Sequence, residues 1–94
     1  MVNEGYHEAE ENLTQTTKDM HKAIVPLMEE LETIDWYNQR IDAYQDDELS
    51  AILAHNRDEE KEHAAMMLEW IKRKGKAFDK ELKDYLFTGK PIAH

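Results

Sequence analysis

Cysteine is absent from this sequence, proline occurs twice, and no long apolar run is present. Without cysteine, the chain cannot form a thiolate metal site, a redox disulfide or a cysteine nucleophile. No segment approaches the roughly 20 apolar residues that span a membrane, and the first residues lack the pattern of a signal peptide. Because helix-breaking residues are so scarce, we expect long helices.

Basic residues are also few. The chain has 12 Lys and Arg against 21 Asp and Glu, which gives a net charge of −9 over 94 residues. Nucleic acid is excluded as a partner, because its binding draws on basic groups that neutralise phosphates. An acidic surface attracts cations, although it can also serve solubility alone.

The first predicted helix covers residues 13–43. Thr14 or Thr16 is expected to cap its start. Pro26 lies inside this span, where it removes a backbone donor and its ring clashes with the preceding turn. The sequence therefore predicts a kink near Pro26.

A second helix is predicted over residues 47–74, with Asp46 as its N-cap and Gly75 at its end. A shorter third helix is expected over residues 77–87, followed by an extended end. The first two helices form an antiparallel hairpin, which has one apolar seam and cannot enclose a core alone. The sequence thus predicts one all-α domain, residues 1–94, whose dimer forms a four-helix bundle.

Three polar residues fall in register with this seam. Steps of three and four residues trace the seam along each helix. It comprises Ala23, Leu27, Glu30, Ile34, Tyr37 and Ile41 on the first helix, and Leu49, Ile52 or Leu53, Asn56, Glu60, His63, Met67 and Trp70 on the second.

Glu30, Glu60 and His63 would share one interior, where carboxylates are costly unless they are paired, protonated or bound to metal. Ferritin-like di-iron bundles take one Glu from each of two helices and a Glu-x-x-His pair from each of the other two. This hairpin supplies half of that set, and a two-fold dimer supplies the rest. Oxygen and imidazole ligands suit iron or manganese and do not exclude zinc.

Other candidates lie beside this group. Glu29, Glu32 and Trp36 are spaced three and four residues apart, so they form either a vestibule that gathers cations or a solvated acidic face. Tyr37 and His55 lie near the same side of the hairpin as the three candidate ligands. Each either hydrogen-bonds a metal ligand without contacting the metal itself or serves as an ordinary structural residue.

Two long motifs resemble the encapsulated ferritins. Residues 29–37 read EELETIDWY, residues 54–66 read AHNRDEEKEHAAM, and the ending YLFT before Pro91 and Ile92 is similar as well. The resemblance covers nearly the whole chain. It implies a ferroxidase that oxidises iron(II) with dioxygen at a di-iron site between two hairpins, with ligands that match Glu30, Glu60 and His63.

The same resemblance implies an outer site where iron enters, matching Glu29 and Glu32 with Trp36 beside it and open to other divalent cations. It also implies a ring-shaped decamer of five dimers inside a cytoplasmic encapsulin shell that stores the mineral. A tail that docks to the shell is expected in such proteins, whereas this chain ends at His94. Pro26 is a second departure from the expected pattern.

Two other functions remain open from the residues. One is a non-catalytic helical scaffold, in which the seam carboxylates are paired or solvated. The other is a peroxide-consuming enzyme with a different di-metal centre.

Overall fold

The computed structural model describes residues 5–93 and places them in helices and short connections. A 3₁₀ helix, Glu10–Asn12, precedes three α-helices: α1 (Gln15–Ala43), α2 (Asp47–Lys74) and α3 (Lys76–Tyr85). Among residues 5–93 there is no β-strand, which agrees with the predicted all-α class. None of the helices in this range is long and apolar enough to cross a membrane.

Side-chain caps fix the starts of the two long helices. The Thr14 hydroxyl accepts a hydrogen bond of 3.1 Å from the Thr17 amide, and Asp46 Oδ1 accepts one of 3.0 Å from the Leu49 amide. Each cap satisfies a backbone donor that the first helical turn leaves without a partner. The predicted caps Thr14 and Asp46 are therefore confirmed.

Gly75 separates α2 from α3 without a loop. Its amide donates to the Ile71 carbonyl over 2.9 Å, and its own carbonyl accepts from the Asp79 amide over 2.8 Å. The predicted end of α2 at Gly75 is confirmed. α1 continues as one helix through Pro26, and bending at that residue stays a prediction.

The third helix ends two residues earlier than predicted. α3 stops at Tyr85, and the Leu86 amide closes it by donating to the Leu82 carbonyl over 2.8 Å. Phe87 has a φ of 61°, in the left-handed region that a bulky side chain rarely adopts. The backbone of Leu86 is already extended, with φ −83° and ψ 146°, so α3 ends two residues before the predicted boundary near Phe87.

α1 and α2 are joined by residues 44–46 and pack antiparallel along their lengths. The seam predicted on α1 faces α2: Ala23 is buried, and Ile34 and Tyr37 are half-buried. The most buried side chains are those of Ala23 and Ile71, the latter with 1% of its surface exposed.

The seam predicted on α2 holds in part. Half-buried positions include Leu53, the alternative to Ile52, together with Asn56, Glu60 and Met67. The buried positions on this helix are Ile71 and Ala64, whereas Ile52 is 58% exposed and Leu49 and Trp70 are also exposed. Adjacent residues lie about 100° apart around a helix. A stripe traced by steps of three and four can therefore follow the edge of a contact instead of its centre.

The single chain leaves much of its surface open. It exposes 7543 Å², whereas a compact monomer of its mass would expose about 5,700 Å². Its radius of gyration is 16.8 Å, compared with about 12 Å for a compact domain of this length. Large apolar side chains such as Met66 (63% exposed) and Leu31 contribute to this surface.

Candidate metal site

Glu30 of α1 meets Glu60 and His63 of α2 near the middle of the hairpin. One ligand atom from each residue lies within 4.8 Å of the other two. Within residues 5–93, this is the only group of three or more His, Cys, Asp or Glu side chains with such spacing. The three residues that the sequence singled out as ligands are thus brought together in one chain.

Local helix geometry explains this meeting. Glu60 and His63 are three residues apart, so both side chains leave α2 from neighbouring positions. Glu30 belongs to the face of α1 that turns toward α2. The buried Ala23 and Ala64 have short side chains, which lets the two helices approach closely on this face.

Glu30 carries an unsatisfied acceptor. Its Oε2 atom is shielded from solvent and has no hydrogen-bond partner in the described part of the chain. Burial, and next the negative charge of Glu60, raise the pKa of Glu30, while His63 acts in the opposite direction. A buried acceptor without a partner costs about 1–3 kcal/mol. A cation bound at this oxygen would remove that cost, so the donor set fits a metal ion.

The site is open on one side. The Nδ1 atom of His63 lies 3.7 Å from Glu60 Oε2, and the His63 side chain is 51% exposed against 29% for Glu60. The exposed side of His63 leaves room for further groups beside the triad.

The residues predicted for the outer site lie on the neighbouring flank of α1. Glu29 and Trp36 are exposed, and Glu32 is half-buried. The Arg40 guanidinium lies 5.9 Å from the centre of the Trp36 ring, a cation–π distance. Their role in gathering cations stays a prediction.

Tyr37 is half-buried on the inward face of α1. His55 is exposed, and its Nε2 atom lies 2.9 Å from Glu59 Oε1, four residues further along α2. In the single chain, His55 therefore contacts Glu59. That His55 and Tyr37 orient a metal ligand stays a prediction.

A polar cluster beside Glu60 escaped the sequence analysis. Arg57 Nη1 donates to Asn38 Oδ1 of α1 over 3.1 Å, and Arg57 Nε donates to Asp58 Oδ1 over 3.2 Å. Lys61 Nζ lies 3.3 Å from the same Asp58 oxygen. Hydrogen bonds from Lys61 and then Arg57 lower the pKa of Asp58. The spacing of Asp58 and Lys61 was visible in the sequence, whereas the contact with Asn38 depends on the register of the two helices.

The sequence is similar to a known protein family and to two curated relatives. The sequence model of the EncFtn-like family matches residues 5–89. An encapsulated ferritin-like protein of Rhodospirillum rubrum is 59% identical over 86 residues, which cover 92% of this chain and 61% of that protein. A ferritin-like protein of Thermotoga maritima is 48% identical over 87 residues, covering 93% of this chain and 76% of that protein.

A solved structure has the same fold. The crystal structure of a Nitrosomonas europaea protein matches with a TM-score of 0.91 and 69% identity, covering 96% of this chain and 99% of that one. The chain spans about three-fifths of the length of the Rhodospirillum rubrum relative. The family match extends over most of the sequence and includes the three candidate ligands. This chain therefore belongs to the EncFtn-like family, the encapsulated ferritins.

Proposed function

We propose that this chain is a ferroxidase subunit, which oxidises iron(II) with dioxygen at a di-iron site shared by two copies. The observation that carries the proposal is the approach of Glu30, Glu60 and His63 to within 4.8 Å, with Glu30 Oε2 buried and lacking a partner. Family membership supports an iron-handling role.

The shared site follows from charge and symmetry. Each copy contributes Glu30 and Glu60. Two copies would therefore bring four carboxylates to two iron(II) ions of matching total charge. A two-fold axis places the open side of one triad against the open side of the other. Each copy of His63 then adds a neutral nitrogen ligand, and its exposed side becomes covered.

In the proposed reaction, iron(II) is the substrate. Glu30 and Glu60 hold the two ions close together, and His63 is a terminal ligand. The two iron(II) ions together give two electrons to one dioxygen molecule, which takes up two protons and leaves as hydrogen peroxide. The bound carboxylates stabilise the higher charge of the iron(III) product. The role of the chain is to bind, to orient and to leave a position open for dioxygen.

We propose that the flank of α1 that carries Glu29, Glu32 and Trp36 delivers iron(II) to the triad. We assign Glu29 and Glu32 to an outer site that collects iron(II) or other divalent cations, with Trp36 packed beside the path. We assign Tyr37 and His55 to orient the side chains of the metal ligands without binding the metal themselves. The acidic net charge of −9 supports attraction of cations toward the assembled protein.

We further propose that dimers repeat around a ring, a decamer, and that the ring works within an encapsulin shell in the cytoplasm. The name of the Rhodospirillum rubrum relative, an encapsulated ferritin-like protein, supports this placement. The large exposed surface of the single chain supports assembly.

Oxidation of iron(II) in air tests the proposal. Glu30→Ala, Glu60→Ala and His63→Ala should each remove most of the rate above buffer, because each ligand serves twice in a dimer. Glu48→Ala is the matched control, since this exposed glutamate lies in the first turn of α2. Full rates in all three ligand variants would refute the site, and turnover of peroxide faster than iron would favour a different di-metal enzyme.

A further inference from the structure

Arg57 and Lys61 are the only arginine and lysine between positions 41 and 71 of the sequence. Both stand close to the metal ligand Glu60, Arg57 three residues before it and Lys61 directly after it. Residues three apart are neighbours on a helix, whereas adjacent residues are not. Of these two residues, Arg57 is therefore the one whose side chain can reach Glu60.

Elsewhere in the chain, long basic side chains pair with carboxylates three or four residues away. Lys72 and Arg73 both contact Glu69, at 3.1 and 2.7 Å. In α3, Lys80 contacts Asp84 at 2.9 Å, and Lys83 contacts Asp79 at 3.0 Å. These pairs show the usual behaviour of basic residues on the helices of this protein.

Arg57 departs from this behaviour. Its neighbours at three and four residues are Leu53, Ala54, Glu60 and Lys61, so Glu60 is the one carboxylate at that spacing. Arg57 instead donates from Nε to Asp58 over 3.2 Å and from Nη1 to Asn38 over 3.1 Å. Two different nitrogen atoms are thus anchored, which fixes the guanidinium plane.

The anchors hold the guanidinium against Asp58 and Asn38, and within residues 5–93 no hydrogen bond or ion pair joins Arg57 to Glu60. Asn38 lies eight residues beyond Glu30 on α1, which corresponds to about 12 Å along the helix. Lys61, at 3.3 Å from the same oxygen of Asp58, helps to hold that carboxylate on the flank of α2. The Arg57 side chain is only 24% exposed, so its position is enclosed by the two helices.

We infer that Asp58 and Asn38 are positioning residues that hold Arg57 away from Glu60 and so keep this carboxylate free for metal. The inference rests on the proposed metal site. An ion pair between Arg57 and Glu60 would occupy the acceptor oxygens and neutralise one of the two carboxylates of the triad. Metal would then have to break that pair before it could bind.

Cobalt(II) binding to the full chain tests this inference, because cobalt(II) takes oxygen and nitrogen ligands and is not consumed by air during a titration. The titration gives affinity without reference to iron oxidation. Asp58→Asn should weaken cobalt(II) binding by about two- to fivefold, the range of an exposed ion pair. Asn38→Ala should weaken it in the same direction, and Arg57→Gln alone should leave it unchanged or slightly tighter.

The decisive variant combines Arg57→Gln with Asp58→Asn. If Arg57 is the competitor, the double variant recovers wild-type affinity, because the group that Asp58 restrains is gone. Asp35→Asn is the control for loss of one exposed carboxylate, since Asp35 also accepts a side-chain hydrogen bond, from Gln39 at 3.0 Å. Circular dichroism verifies that the variants stay helical.

The role of Asp58 would be overturned if Asp58→Asn and Asp35→Asn bind cobalt(II) with equal affinity. It would also be overturned if the double variant binds cobalt(II) as weakly as Asp58→Asn. Those results would leave the proposed function intact if the wild type binds cobalt(II) through Glu30, Glu60 and His63. Absence of ligand-dependent cobalt(II) binding in the wild type would instead sink the proposed metal site.

Discussion

Glu60 Oε2 and His63 Nδ1 lie 3.7 Å apart on adjacent turns of α2. This separation exceeds the length of a hydrogen bond, so neither side chain satisfies the other. Glu30 approaches the same pair from α1, and its buried oxygen is likewise without a partner. The three groups are close enough to share a cation and too far apart to satisfy one another.

The raised pKa of Glu30 makes stability depend on pH. Burial and the charge of Glu60 favour the neutral acid in the folded chain, so the folded state binds more protons than the unfolded state over this range. The free energy of unfolding of the metal-free chain therefore falls as pH rises from about 4.3 through the raised pKa of Glu30.

Glu30→Gln should remove this loss. We expect the metal-free variant to melt at a slightly higher temperature than the wild type at pH 7, because glutamine carries no charge that burial and Glu60 disfavour. Near pH 4 the two melting temperatures should converge. A variant that is less stable than the wild type at pH 7 without metal would contradict the pKa direction.

Metal should couple to assembly. The proposed site takes ligands from two chains, so iron(II) stabilises the dimer by mass action, and without metal four carboxylates repel one another across the interface. Anaerobic iron(II) should shift the measured mass toward dimers and larger rings, and chelation should at least partly reverse the shift. Light scattering after size exclusion measures this. An unchanged mass with iron bound through the triad would count against a shared site.

Substitutions on the flank of α1 that carries Glu29 and Glu32 should change the iron oxidation rate without removing the di-iron centre. Changing Glu29 and Glu32 together to Ala should alter the iron oxidation rate severalfold while the iron bound at the triad stays at wild-type stoichiometry. Without the two carboxylates, weaker attraction of iron(II) would slow its access to the triad, whereas removal of a site that holds iron(II) would speed its passage. A lower or a higher oxidation rate therefore shows which effect is larger. Asp35→Ala is the control for loss of an exposed carboxylate on α1. Loss of triad iron in the double variant would show that these two residues bind the redox-active iron or hold the fold.

Ile71 should dominate the stability of the hairpin. It is 1% exposed, and replacing a buried isoleucine by alanine costs about 2–5 kcal/mol through lost burial and a cavity. Ile52→Ala makes the same change on the same helix at a position that is 58% exposed. Urea unfolding of the metal-free chain should show a much larger loss for Ile71→Ala. Equal losses would mean that burial in the assembled protein, and not within the hairpin, decides stability.

Local signals in the sequence were sufficient for the three helices and for most of their ends. Thr14, Asp46 and Gly75 act through short-range hydrogen bonds and backbone preferences, which depend on few neighbours. The end of α3 was predicted two residues too late, because the extended backbone of Leu86 and the left-handed conformation of Phe87 are not encoded in their residue types. The candidate ligands were also accessible, because Glu60 and His63 stand three residues apart and Glu30 falls in the apolar stripe of α1.

The sequence by itself determined the helical class, the hairpin and the identity of three candidate ligands, because helical periodicity and capping are local properties of the chain. The tertiary structure alone decided which arc of α2 faces α1, with Ile71 and Ala64 inward and Ile52 outward. It also decided that Arg57 reaches Asn38 instead of Glu60. These features depend on the axial register and rotation of one helix against the other, which side-chain packing between distant residues fixes and periodicity within one helix does not specify.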